Sequence, residues 1–389
     1  MYRHITIQGS VNLEPKLRSI LRVILTDSKL ASRVDSFEFA APVEVLPARR
    51  TLRPPRGETD DEVYQFTRAV RSLGLPTQDQ SFWIFYLRRS DMDALLALVI
   101  AHLPNVTQLS VVLPTVHTCV KRIFETTIDP CVSSIQRFAK LVRLALRFPR
   151  VARHPLPGAW PTDLDSTRFL PLRIPSLRFL SCEERLPVIP WMPWPGATIA
   201  PTSLTSLELR CFPCHPALES LLEACPLLET LKICLLNGQT ERDLDCDLIQ
   251  AMKGCQDTLK HLTIRREHLR AKHSVLWYPL DSLHDFKSLT TVEIHQYFVV
   301  NPHPANPDLP DLLPPSLRYL HVQAVEDQPD ILLRQLKCLA IACLQSRFPD
   351  LKTVLAPIRW SWSMCDDLAQ LERTFMDAQV VFCIEDNEA

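Results

Sequence analysis

One short apolar spacing recurs along this chain: an apolar residue, a second three positions later and a third two positions after that. It appears as Val106, Leu109 and Val111, then Leu141, Leu144 and Leu146, then Leu177, Leu180 and Cys182. It continues as Leu204, Leu207 and Leu209, as Leu228, Leu231 and Ile233, and as Leu259, Leu262 and Ile264. Leu289, Val292 and Ile294 follow, then Leu317, Leu320 and Val322. Weaker copies lie at Val34, Phe37 and Phe39 and at Leu351 and Val354. From Val106 onward the first positions are 35, 36, 27, 24, 31, 30, 28 and 34 residues apart. Chance supplies one or two such hexamers in a Leu-rich chain, but not eight in succession at repeat-like intervals.

The second and third apolar positions are two residues apart, so on a strand they share one face. A strand this short cannot bury that face alone. Stacking the strands side by side gives a parallel sheet whose backbone groups pair from one repeat to the next. The chain must then return on the other side, and several intervening segments have a helical apolar pattern. "PALESLLEACP" puts Leu218, Leu221, Leu222 and Cys225 on one face, and "DLIQAMKGC" does the same with Leu248, Ile249, Met252 and Cys255, with Gly254 as a helix stop. "DMDALLALVIAHLPN" and "QLKCLAIACLQSRFPD" are longer versions that run into Pro104 and Pro349. The expected fold is an α/β leucine-rich-repeat solenoid, a horseshoe with a parallel concave sheet and convex helices, of roughly nine to eleven repeats. Residues 1–40 form an N-terminal strand-helix cap and first repeat, with Ile5 and Ile7 alternating on the opening strand. Residues 41–90 read as an irregular insertion and a helix. Residues 91–389 read as the repeat array, with Pro-rich loops at 148–200 and 301–315 and a closing strand carrying Val380, Phe382 and Ile384.

Composition narrows the function. Only 7 of 389 residues are Gly, and neither GxGxxG nor GxxxxGK[ST] occurs. Phosphate-cradling turns need Gly for close backbone approach, so nucleotide-dependent enzymes are disfavoured. The formal net charge is −1, which offers no general attraction to nucleic acid or an anionic membrane. The basic run "ARRTLRPPRG" reads as a solvated loop. "ALLALVIA" ends at His102 and Pro104, short of a membrane span. The first residues carry no basic, apolar leader, so the 13 cysteines are expected to be reduced thiols in the cytoplasm or nucleus.

The opening "YRHITI", the helix "LRSILRVIL" and "LASRVDSFEF" resemble filamentous-fungal F-box proteins with leucine-rich repeats. "ALLALVIAHLPNVTQLSV" and "LLEACPLLETLKI" are also similar to repeats of that family, and the resemblance covers nearly the whole chain. It implies a substrate-receptor-like subunit of a cullin-type ubiquitin ligase. In that family a three-helix F-box, which docks onto the ligase adaptor, directly precedes a strand like Tyr2 to Ile7. Here that F-box would lie upstream of Met1, so contact with the adaptor is expected only if one exists.

Read from the residues alone, the polar positions between inward ones point to a protein partner on the concave face, with no cofactor, metal or catalysis expected. They are Glu208 and Arg210, Lys232, His261 and Arg265, Glu293 and His295, and Tyr319 and His321. Neighbouring strands are about 4.8 Å apart, so these side chains, with Thr263 and Gln323, form one strip. A strip of this kind is a solvated face, a partner surface or, through its histidines, a metal site. Trp191 and Trp194 add a second candidate contact in a Pro-rich loop, as hot-spot residues or as a cover for the array. "CFPCH", with Cys211 and Cys214, is a single C-x-x-C without the second pair that a zinc site usually has, which leaves a zinc or thiol enzyme as a remote alternative. A stand-alone scaffold or regulatory adaptor without any ligase link is the nearer one.

Overall fold

The second and third residues of each apolar triplet lie on a β-strand and are buried. A computed structural model describes residues 3–9, 13–40, 60–113, 118–128, 138–147, 174–183, 201–211, 218, 221–235, 248–266, 282–298, 307–323, 329–356 and 364–384. The chain divides into two units, Met1–Trp191 with Thr202–Leu204, and Met192–Pro201 with Thr205–Ala389. In the first, β1 (His4–Gln8), β2 (Ser36–Ala40), β3 (Gln108–Val112), β4 (Arg143–Arg147) and β5 (Phe179–Glu183) pair in that order, all parallel. In the second the order is β6 (Ser206–Cys211), β7 (Thr230–Leu235), β8 (His261–Arg266), β9 (Thr291–His295), β10 (Tyr319–Gln323), β11 (Thr353–Leu355) and β12 (Val381–Cys383), again all parallel. Strand β5 falls inside the expected Pro-rich stretch 148–200, at its apolar triplet.

Register puts like on like. Phe37, Leu109, Leu144 and Leu180 stand in one row of the first unit. Leu207, Leu231, Leu262, Val292, Leu320 and Val354 stand in one row of the second. None of these ten is more than 2% exposed. The opening strand follows the same rule, with Ile7 buried and Ile5 partly covered. At the other end, Val380 is buried and the Phe382 ring stacks on Phe375 at 5.1 Å.

Strands β2 to β5 and β7 to β11 are each joined to the previous strand at its entry by two consecutive amides donating to one carbonyl. The amides of Lys260 and His261 share the Glu229 oxygen at 2.8 and 2.9 Å, and those of Thr290 and Thr291 share the Lys260 oxygen at 2.9 and 3.0 Å. A hydroxyl just before the first triplet residue adds a second tie. Thr258 Oγ1 reaches the Pro226 and Leu228 carbonyls at 3.1 and 2.9 Å, and Ser316 Oγ reaches those of Phe286 and Leu289 at 3.5 and 2.9 Å. Ser176 makes the same bridge in the first unit, to Phe138 and Leu141.

The helices of the first unit are α1 (Leu13–Thr26), α2 (Ser28–Ala31), α3 (Asp60–Ser72), α4 (Thr77–Leu87), α5 (Met92–Ala101) and α6 (Thr118–Ile128). Of the stretch 41–90, residues 60–90 are described, and they hold two helices, α3 and α4. Gly74, at φ +67°, turns the chain after α3, and Pro76 precedes α4. These helices are fastened to one another by buried polar contacts. Arg18 of α1, 7% exposed, meets Glu62 of α3 at 3.1 Å, Ser90 Oγ at 2.6 Å and Glu14 at 2.7 Å. A buried guanidinium is tolerated because its donors are met by partners. Helix α5 is apolar all round and buried from Asp93 to Ile100, as a helix covered on every side must be.

The second unit holds α7 (Leu248–Met252), α8 (Leu309–Leu312), α9 (Pro329–Leu344) and α10 (Cys365–Asp377). Helix α7 ends at Met252, and Gly254, expected as its stop, lies in the 3-10 turn that follows. A Cβ there would stand 3.2 Å from the Glu223 Cα, so the glycine allows close packing of two return segments. The stretch 301–315, expected as an extended loop, contains α8, whose Leu309 and Leu312 are buried. The Leu309 amide donates to Gln335 Oε1 at 2.7 Å. Burial of those two leucines against α9 outweighs the extended preference of the flanking prolines.

Two predictions follow from this packing. Leu231→Asp buries an unpaired charge in the middle of a row and abolishes the cooperative urea transition, whereas Thr258→Val, which loses only the hydroxyl bridge, lowers stability by about 1 kcal/mol. Asp93 of α5 accepts from the Cys119 and Val120 amides at 2.5 and 3.2 Å and so caps α6, and burial pushes its carboxyl up to about 7 despite those donors. The folded acid keeps its proton to higher pH than the unfolded one, so its contribution to stability is lost as pH rises from roughly 4 to 7. Urea unfolding of the native chain should weaken across that window relative to Asp93→Asn, and parallel pH profiles would refute the assignment.

Candidate functional site

Between the buried positions of β6 to β10, the remaining side chains form rows on the opposite face of the sheet. Ser206, Thr230, His261, Thr291 and Tyr319 are in register in one row, and Glu208, Lys232, Thr263, Glu293 and His321 in the next. Arg210, Cys234 and Arg265 begin a third, and His295 pairs with Gln323 further along it. These positions result from the two-residue period of a strand whose other face is buried.

Lys232, His261 and Arg265 are exposed, and Glu208, Arg210, Glu293, Tyr319 and His321 are half-buried. His295 departs from the expected exposed strip. It is only 4% exposed, and the chain turns directly after it into a 3-10 turn, Gln296–Phe298, with Gln296 and Phe298 also buried. Period alone puts His295 on the polar face, but the residue is buried where the strand gives way to this turn. It is not an accessible contact.

Glu293 is the hub of this face. Its carboxylate accepts from Arg265 Nε at 2.9 Å and from Arg265 Nη2, lies 3.4 Å from Thr263 Oγ1, and stands 3.0 Å from His321 Nδ1. With Nδ1–H donating to the carboxylate, Nε2 of a neutral His321 ring is an acceptor. That Nε2 and the Gln323 Oε1 are buried and have no hydrogen-bond partner among the described residues. The neighbouring Lys232 and His261 have no ion-pair partner among the described residues, so this side of the hub presents free basic groups.

The hub's composition was visible in the sequence but its connectivity was not. Aligning the triplets position by position places Thr263, Glu293 and His321 together, and that alignment is the signal that exposes the cluster. The same alignment reveals a counterpart in the first unit that single residues do not suggest. There the Arg143 guanidinium lies 4.7 Å over the Phe179 ring, and Arg147 is 3.7 Å from Glu183.

The histidines considered for metal binding fall in three different rows. Among the described residues no three His, Cys, Asp or Glu side chains are grouped closely enough to hold an ion. Cys214 and the side chain of Cys211 lie outside the described residues, as do Trp191 and Trp194. The described cysteines are free thiols. Burial pushes Cys255 up to about 12 and Cys343 to about 11, and raises Cys119 further still. At neutral pH these thiols are protonated, and the thiolate is the nucleophilic form.

Glu293→Ala leaves Arg265 and His321 without their common acceptor and should lower stability by about 1–2 kcal/mol in urea unfolding, with Glu293→Gln between it and the native chain. An Ala variant as stable as the native chain would show that the hub contributes nothing. In comparison with known proteins, no family model matches this chain, and no curated protein matches it significantly in sequence.

Proposed function

We propose that this protein is a non-catalytic protein-recognition module built as a leucine-rich-repeat horseshoe, strands on the concave side and helices on the convex side. The partner lies across the polar face of β6 to β10. The observation that carries this reading is the register row Glu208, Lys232, Thr263, Glu293 and His321, in which charges of both signs follow one another on adjacent strands. Internal pairing through Glu293 holds part of that row in place, which reduces the entropy lost on binding, while Lys232 and His261 stay open to a partner. Solenoids use such extended strand faces for binding. By resemblance, the partner is a substrate presented to a cullin-type ubiquitin ligase, in the cytoplasm or nucleus. The second reading, a stand-alone scaffold without a ligase link, uses the same face. No described helix is long and apolar enough to cross a membrane.

The test is photo-crosslinking in the native cells from a benzophenone amino acid placed at Lys232 or His261, followed by mass spectrometry. One protein should be captured from both positions, and Lys232→Glu should weaken its binding to purified chain at least about tenfold without lowering the melting temperature. Co-capture of a ligase adaptor would favour the ligase reading, and its absence alongside a reproducible partner the scaffold. Unchanged binding by Lys232→Glu and His261→Ala to a captured partner would move recognition off this face.

A further inference from the structure

Helix α4 turns only one stripe inward. Trp83 and Leu87, four residues apart, are buried, and Trp83 Nε1 donates to the Ala94 carbonyl at 3.0 Å. Phe82, Phe85, Tyr86 and Arg89 follow at the spacing that lines up a different face of the same helix. Phe82 is 42% exposed and Phe85 47%. Their rings pack on Tyr86 rather than into the core, at 4.5 Å from Phe82 and 5.4 Å edge-on from Phe85. The Arg89 guanidinium lies 3.9 Å over the Phe85 ring. Solvated faces carry large apolar residues singly, whereas contiguous aromatic and Arg groups of this kind are enriched at protein interfaces.

Two cations stand at the C-terminal end of this stripe. Arg88 and Arg89 are exposed and have no carboxylate partner among the described residues. Asp79, the acidic residue of α4, is engaged by Arg122 through two contacts of 3.0 Å. Asp91, two residues past Arg89, caps α5 by accepting from the Asp93 and Ala94 amides. The C-terminal end of the stripe is therefore positive, and its nearest carboxylates in sequence are used elsewhere.

We propose that α4 is a docking site for an acidic amphipathic helix of a partner protein. The partner's apolar side chains lie over Phe82, Phe85 and Tyr86, and its carboxylates meet Arg88 and Arg89. A guanidinium stacked on a ring keeps its N–H edge open, so Arg89 can receive a carboxylate without leaving Phe85. A nucleic-acid strand would need a longer basic track than these two arginines, and the chain as a whole carries a net charge of −1. This surface belongs to the first unit and does not depend on the strand-face reading.

The experiment titrates the full chain into a fluorescein-labelled synthetic peptide of about 16 residues, roughly four helical turns, with Leu and Phe on one face and Glu on the other. The same peptide with Lys replacing Glu is the control. Fluorescence polarisation should show binding of the acidic peptide only. Phe82→Ser with Phe85→Ser, and separately Arg88→Glu with Arg89→Glu, should each weaken it at least tenfold, with unchanged melting temperatures because all four side chains are on the surface. Should the aromatic variant fail to fold, the arginine variant tests the site independently. Equal binding of both peptides, no binding of either, or variants that bind like the native chain would overturn the proposal. So would a single-stranded oligonucleotide that binds the native chain and not the arginine variant, or self-association in sedimentation that the aromatic variant abolishes, since each assigns the surface to another occupant.

Discussion

Strands β2 to β5 and β7 to β11 each hang on one carbonyl at the entry of the strand before. In the second unit the acceptors are Thr205, Glu229, Lys260, Thr290 and Arg318, each taking two consecutive amides of the next strand. One acceptor shared by two donors leaves no freedom to slide. A one-residue slip would also turn every side chain to the opposite sheet face, carrying Lys232 and Glu293 inward and Leu231 and Val292 into water. Backbone pairing and apolar burial are thus two expressions of the same register, and neither is satisfied without the other.

The polar face follows from that register. Nothing about Thr263, Glu293 or His321 singles them out locally. They meet because each lies one residue after the buried second position of its own triplet, and the ladder aligns those positions. The hydroxyl bridges work in the same direction. Thr258, Ser316 and Ser176 each precede a first triplet residue and reach back to two carbonyls of the previous repeat, satisfying acceptors that the short strands do not use. A Ser or Thr before the triplet was present in the sequence all along, but its meaning appears only when the preceding repeat is in place.

The attachments that fit neither rule were the least legible. Residues 41–90 were expected to hold an irregular insertion and a helix, and the described part of that stretch carries both α3 and α4. In α4, Trp83 and Leu87 go inward while Phe82 and Phe85 stay out, and Trp83 is held by the Ala94 carbonyl, eleven residues further along the chain. His295 and Leu309 are similar cases. A strand period placed the histidine outside and a run of prolines placed the leucine in a loop. In the structure His295 is buried beside a 3-10 turn, and Leu309 is buried with its amide donating to Gln335.

The amino-acid sequence by itself determined the strand positions, their parallel order and the identity of the buried rows, because period and spacing are local and repeat themselves. It also named most of the side chains on the polar face. Tertiary structure decided which of those side chains are accessible, which pair with one another and where the non-repeating helices attach. Those outcomes depend on contacts between residues distant in the chain, such as Arg18 with Glu62 or Glu293 with His321, and no local pattern encodes a partner that only the folded chain brings near.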